Sequence, residues 1–153
     1  MRERRWSVRF RSFRQLRVPV LSLAAGGATL NRHMMETVLI VDDHAGFRAY
    51  AREMLESEGF RVVGEAPDAA SAIAAAQQLE PDIVLLDVHL PDLDGFRASK
   101  RIAAATGAPA IVLTSSGDVG DLAAMAAECP ARGFIPKAEL SSTAIRALAA
   151  DPT

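Results

Sequence analysis

Three short runs of uninterrupted apolar residues, rich in β-branched side chains, constrain this chain most: Thr37-Val38-Leu39-Ile40-Val41, Ile83-Val84-Leu85-Leu86 and Ala110-Ile111-Val112-Leu113. A strand with one wet face alternates polar and apolar residues. A run with no alternation must be covered on both faces, which is the condition of strands in a parallel sheet between two helical layers. The intervening sequence supplies those helices. Gly46 to Glu58 places Phe47, Tyr50, Ala51, Met54 and Leu55 at helical spacing, and Gly59 provides the stop. Phe60 to Ala66 reads as a second strand, and Asp68 as the N-cap of an Ala-rich helix through Leu79, which Pro81 closes.

The pattern continues to the end. After Pro91-Asp92-Leu93-Asp94-Gly95 a helix runs from about Phe96 to Ala105, and Pro109 opens the strand of 110–113. Asp118 to Glu128 is a short helix, Gly133-Phe134-Ile135 a fifth strand, and Ser141 to Ala150 a last helix. Five strands joined by helices predict an α/β fold with right-handed crossovers and helices on both faces of one parallel sheet. At 153 residues the chain has room for one ordinary domain. Its single cysteine, Cys129, excludes an intramolecular disulfide and a Cys-rich zinc site, and fits a reducing compartment as a small packing residue.

Net charge divides the chain. Residues 1–33 hold eight arginines against Glu3, a net of +7, while the other 120 residues hold nine basic and eighteen acidic side chains, a net of −9. The apolar stretch Val18–Ala25 is far short of the ~20 residues of a membrane-spanning helix, and Pro19 interrupts it. This basic segment has three readings: a signal peptide, a phosphate-attracting arm, or a disordered leader, including upstream sequence brought in by too early a start codon. The last is the expectation adopted, because Met34-Met35 stands directly before the first strand. Residues 1–34 are then a leader and 35–153 the domain. The domain's −9 charge argues against DNA binding by this chain.

In an open parallel sheet the ligand site lies beyond the carboxyl ends of the strands. Asp42 and Asp43 follow strand one, Asp87 strand three, Thr114, Ser115 and Ser116 strand four, and Lys137 strand five. Singly, each reads as a cap, a turn residue or solvated surface. Together at one end of the sheet they make a site. Clustered carboxylates repel unless a cation neutralises them, and hard oxygen ligands suit Mg²⁺. With Lys137 as fixed positive charge and Thr114 as hydroxyl donor, the set suffices to move a phosphoryl group onto Asp87. His44 reads as a loop residue.

Val38-Leu39-Ile40-Val41-Asp42-Asp43-His44, Asp82-Ile83-Val84-Leu85-Leu86-Asp87-Val88-His89-Leu90-Pro91-Asp92-Leu93-Asp94-Gly95, Leu113-Thr114-Ser115 and Gly133-Phe134-Ile135-Pro136-Lys137 occur in this order. Over roughly residues 36–150 the chain thereby resembles the receiver domain of bacterial two-component response regulators. The resemblance implies a doubly wound, CheY-like and flavodoxin-like sheet of order 2-1-3-4-5. It implies Asp87 as phosphoacceptor for a sensor histidine kinase, a phosphotransfer protein or a small phosphodonor. Asp43, Asp87 and the backbone carbonyl of His89 would ligate Mg²⁺, with Asp42 acting largely through water. Lys137 and Thr114 would assist catalysis, and Thr114 with Phe134 would form the switch. The implied molecule is a cytoplasmic phosphoacceptor, not an enzyme, that assists its own Mg²⁺-dependent phosphorylation and dephosphorylation.

The implied output is a partner, or a second copy, docked on the helix 4–strand 5–helix 5 face of Leu122, Met125, Phe134 and Ile145, with no contact to DNA or membrane. His89 and Ser116, two positions beyond Asp87 and Thr114, flank the path of a hydrolytic water in the family and would tune phosphate lifetime. The chain departs from the family at Ala138, where a cis proline often follows the lysine; Pro136 precedes it instead. Two other receiver readings are a helix-turn-helix transcription regulator lacking its output domain and a phosphorylation-independent interaction module. A hydrolase with an aspartyl nucleophile is the enzyme-class rival, and Asp87-Val88-His89 lacks the Asp-x-Asp pattern of one such phosphatase family.

Overall fold

The computed structural model describes residues 35–105, 107, 109–117 and 120–150. The expectation of a basic leader over 1–34 lies outside the described residues. Along the chain come β1 (Thr37–Val41), α1 (Ala45–Ser57), β2 (Arg61–Ala66), α2 (Ala69–Leu79), β3 (Ile83–Asp87), α3 (Gly95–Ala105), β4 (Ala110–Ser115), α4 (Gly120–Ala126), β5 (Gly133–Pro136) and α5 (Ser142–Ala149), with a 3-10 turn at Lys137–Glu139 before α5. All five strands are parallel, in the order β2-β1-β3-β4-β5. The expected fold class and strand order are what the structure has.

The apolar runs behave as their lack of alternation requires. Val38 and Ile40 of β1, with Ile83, Leu85 and Val112, face a layer built on Ala51 and Leu55 of α1 and Ile145 of α5. Leu39 and Val41, with Val84, Leu86, Ile111 and Leu113, face the opposite layer, built on Ala72 and Ala76 of α2, Ala98 and Ile102 of α3 and Ala126 of α4. The side-chain period of two thus feeds two cores, and every residue of β1, β3 and β4 is buried. Small residues on α2 let that helix lie close to the sheet.

Local chemistry sets the element ends. Asp68 caps α2 by accepting the Ser71 N–H at 2.8 Å, and Ser141 caps α5 through the Ala144 N–H at 3.1 Å. Gly59, just past α1, has φ +94°, a left-handed backbone that a side chain would strain. Predicted and observed ends differ by a residue or two, and α4 is described over Gly120–Ala126. Asp118 and Val119 are outside the described residues. Among the described residues no helix is long and apolar enough to cross a membrane.

One expectation is corrected. Ile145 is fully buried in the α1–α5 core layer and cannot belong to an exposed output face. The helical period that places Leu148 and Ala144 beside that core turns Ile145 inward with them.

Two consequences can be measured. Ile145→Ala leaves a cavity between α5 and the sheet and should cost about 2–5 kcal/mol of unfolding free energy, read by urea titration. On the outer surface Arg48 and Arg52 bond the Glu65 carboxylate at 3.0 and 2.7 Å and, led by Arg52, hold its pKa below the ordinary value against partial burial. A depressed folded pKa gives stability that is full above the unfolded value and lost as pH falls through the folded one. Glu65→Gln should therefore flatten the stability profile below about pH 5, by under about 1 kcal/mol for so exposed a cluster.

Candidate functional site at the carboxyl edge of the sheet

Because β1 lies between β2 and β3, the chain leaves β1 and β3 toward opposite faces, and a crevice opens beyond their carboxyl ends. Asp42 and Asp43 follow β1. Asp87 is the last residue of β3, paired in register with Thr114 of β4, and Lys137 begins the turn after β5. Asp87, Thr114 and Ser115 thus belong to their strands, where the sequence reading had them just past the ends. Only Ser116 lies beyond β4.

The charges are close and dry. Asp42 is fully buried and Asp87 nearly so. Lys137 Nζ stands 2.6 Å from Asp42 Oδ2 and 3.4 Å from Asp87 Oδ2. The first is a contact of charges rather than an aligned hydrogen bond, since no donor among the described residues is directed at Asp42 Oδ2. Asp42 Oδ1 accepts the His44 N–H at 2.8 Å, and Asp87 Oδ1 accepts the His89 N–H at 3.1 Å. Burial pushes the Asp87 carboxyl above its ordinary pKa, and the Asp42 charge pushes the same way. The His89 N–H and the Lys137 ammonium pull against them.

Ligand atoms of Asp42, Asp43, His44 and Asp87 all lie within 4.8 Å of one another. Two buried carboxylates against one ammonium leave the pocket's interior with an excess negative charge, which Asp43 at its mouth increases. The donor set fits a hard divalent cation such as Mg²⁺. Thr114 is buried with its Oγ1 lacking a hydrogen-bond partner among the described residues, an unspent hydroxyl on the strand beside Asp87.

Several neighbours were not legible beforehand. His44 is more than a loop residue: its Nδ1 lies 3.1 Å from Asp42 Oδ1 and 2.9 Å from Asp43 Oδ1. Asp92, in the loop after β3, accepts the Ala69 and Ala70 N–H groups at 2.8 and 3.0 Å and so ties that loop to the first turn of α2. These hydrogen bonds, Ala69 first, hold its pKa below the ordinary value. No signal at a separation of 23 residues marks that contact in the sequence. His89 and Ser116 are both exposed at the rim, and a Cβ added at Gly117 would lie 3.8 Å from His89 Nε2, so the two loops adjoin.

Phe134 is half-buried, paired in register with Leu113, and packs on the α2–α3–α4 core. Beside it a groove of about 520 Å³ runs between α4 and β5, lined by Ala123, Ala126, Ala127, Phe134, Pro136 and Glu139 among others. Leu122 is half-buried near it and Met125 is exposed.

Comparison with known proteins bears on this geometry. The family model for the response regulator receiver domain matches residues 38–149. The chain is 35% identical over 122 residues to the transcriptional regulatory protein PdtaR of Mycobacterium tuberculosis, covering 74% of this chain and 60% of that protein. Among solved structures it is similar to a LuxR-family two-component response regulator from Aurantimonas sp. SI85-9A1, with TM-score 0.69 and 32% identity over 75% of this chain and 85% of that one. It is also similar to the CheX-CheY-BeF3-Mg+2 complex from Borrelia burgdorferi, with TM-score 0.65 and 25% identity over 73% and 84% of the two chains. The chain spans 24% to 60% of the length of the curated relatives it matches first.

The tightest spot at the site is Gly95. A Cβ there would meet the Asp87 carbonyl oxygen at 2.5 Å and Val88 Cα at 2.8 Å, both backbone atoms that cannot rotate away. Gly95→Ala should displace the β3–α3 loop and cost about 1–3 kcal/mol in urea unfolding, with amide shifts concentrated at residues 87–95 in NMR spectra.

Proposed function

The chain belongs to the response regulator receiver domain family, and from that premise we propose that residues 35–153 accept a phosphoryl group on Asp87 and pass the signal on by a change of conformation. The observation that carries this reading is the placement of Lys137 Nζ within 3.4 Å of the buried Asp87 carboxylate, beside a second buried carboxylate.

Phosphoryl transfer asks a protein chiefly for positioning and charge neutralisation. Asp87 Oδ1 is engaged by the His89 amide, which leaves Oδ2, facing Lys137, as the attacking oxygen. Attack on phosphorus forms the Oδ2–P bond as the bond to the donor breaks, and the donor's nitrogen or oxygen keeps the electron pair. Lys137 would turn from Asp42 to the incoming phosphoryl oxygens. Asp43 and Asp87, with the His89 carbonyl, would hold Mg²⁺, and Asp42 would reach it through water. When bound, Mg²⁺ would supply the divalent charge that offsets the carboxylates and the transferred group.

Thr114 supplies the readout. Its unsatisfied hydroxyl has no partner to give up, so a new acceptor on Asp87 would be its first strong hydrogen bond. Movement of Thr114 in β4 would free volume for Phe134, whose neighbourhood includes the α4–β5 groove. The donor in the cell would be a sensor histidine kinase or phosphotransfer protein. The output would be a partner or second copy on the face of Leu122, Met125 and Phe134. On this reading the chain is a cytoplasmic phosphoacceptor that assists its own phosphorylation and dephosphorylation, rather than an enzyme acting on a separate substrate.

Incubation with Mg²⁺ and acetyl phosphate should add one phosphoryl group by intact mass, removable by hydroxylamine. Asp87→Asn or chelation with EDTA should abolish it. An unmodified wild-type protein would count against the reading and for a phosphorylation-independent module. Lys137→Ala and Thr114→Ala should leave Asp87 in place but slow phosphorylation or weaken the conformational change. His89→Ala and Ser116→Ala, at the exposed rim, should alter the dephosphorylation rate severalfold with little change in thermal stability. Unchanged rates in both would remove these two residues from lifetime control.

A further inference from the structure

Phe47 is the third residue of α1 and four residues past Asp43, yet its ring lies against a side chain ninety positions away. Lys137 Nζ stands 4.6 Å from the ring centroid and also meets Asp42 Oδ2 and Asp87 Oδ2. Phe47 also packs on the α1–α5 core layer and is tilted against Tyr50 at 6.3 Å, so the ring itself is held in place. The Lys137 side chain is left only 14% exposed. We propose that Phe47 is a positioning residue for Lys137, confining the ammonium over its π face within reach of Asp87; this rests on the phosphoacceptor reading above.

The physical case turns on the kind of contact. Lysine is a point charge on a flexible four-carbon stem, and it loses considerable rotamer freedom when fixed. A carboxylate partner takes an N–H in a set direction and would anchor Nζ in one place. An aromatic face attracts the charge itself over a broad area and claims no N–H. Lys137 has to shift from Asp42 toward a new phosphoryl group without escaping to solvent. A ring beside the ammonium permits that sliding while adding an attraction that opposes escape. A Leu at position 47 would fill much of the same space without attracting the cation. Phe47 thus acts on the reaction through Lys137 alone, since it offers no group that could touch phosphate.

Three variants separate positioning from packing. Phe47→Leu keeps apolar volume without the π face, Phe47→Tyr keeps the face, and 3,4,5-trifluorophenylalanine at position 47 keeps the shape while weakening the face. Two quantities are read on folded protein, checked by its amide spectrum: the NMR order parameter of Lys137 Cε without Mg²⁺, and the initial phosphorylation rate with acetyl phosphate and Mg²⁺. The Leu and trifluoro variants should lower the order parameter and slow phosphorylation roughly threefold to tenfold, and Tyr should restore both. If Phe47→Leu cannot fold, the trifluoro variant carries the comparison. A rigid Lys137 and a wild-type rate in the trifluoro variant would overturn the proposal. Should the wild type itself take up no phosphoryl group, the phosphoacceptor reading fails. The order parameter alone then decides whether Phe47 holds Lys137, a fall supporting it and no change overturning it.

Discussion

Two buried carboxylates facing one ammonium organise the carboxyl edge of this molecule. Asp42 and Asp87 are almost entirely removed from water, and Lys137 is the cation that makes their proximity tolerable. Such a cluster is costly to assemble, because each charge loses hydration that its neighbours only partly replace. The surrounding backbone lowers that cost. The amides of His44 and His89 each donate to one of the two carboxylates, and the parallel strands hold the three residues at fixed separation. The negative excess that remains makes the pocket receptive to a hard cation and to chemistry that brings one with it.

The sheet serves this cluster in a simple way. Its strands are buried on both faces, so their positions are fixed by two independent cores, and side chains at their carboxyl ends inherit that rigidity. The loops beyond are secured less uniformly. Asp92 ties the loop after β3 to α2, and Gly95 lets α3 start against the Asp87 backbone. Among the described residues Thr114 Oγ1 and Asp42 Oδ2 are the buried side-chain atoms left without a hydrogen-bond partner. A buried donor with no partner is a small stored cost. The groove beside Phe134 lies between α4 and β5.

Much of this could be read from residues in order. Continuous apolar runs announced buried parallel strands, Asp68 announced the start of α2, and Gly59 the end of α1, because each is a local rule of burial or backbone geometry. The site's residue types were legible because strand ends are easily located and their polar residues stand out against apolar neighbours. The burial of Ile145 is not legible, because helical period alone does not say which of two sides faces the sheet. His44 is legible as a loop residue, but its contacts with Asp42 and Asp43 depend on the turn that follows β1.

The sequence by itself determined the βα alternation and the polar residues gathered at one edge, since these follow from periodicity and chain order, while the strand order was implied by the family resemblance alone. Tertiary structure alone decided the pairings within that edge: Lys137 closer to Asp42 than to Asp87, Thr114 left without a partner, Asp92 bonded to α2 and the Phe47 ring under the Lys137 ammonium. The physical reason is common to all four. Local pattern fixes which element a residue occupies, but distances of a few ångströms between elements arise only when two cores pack and set how the helices sit against the sheet.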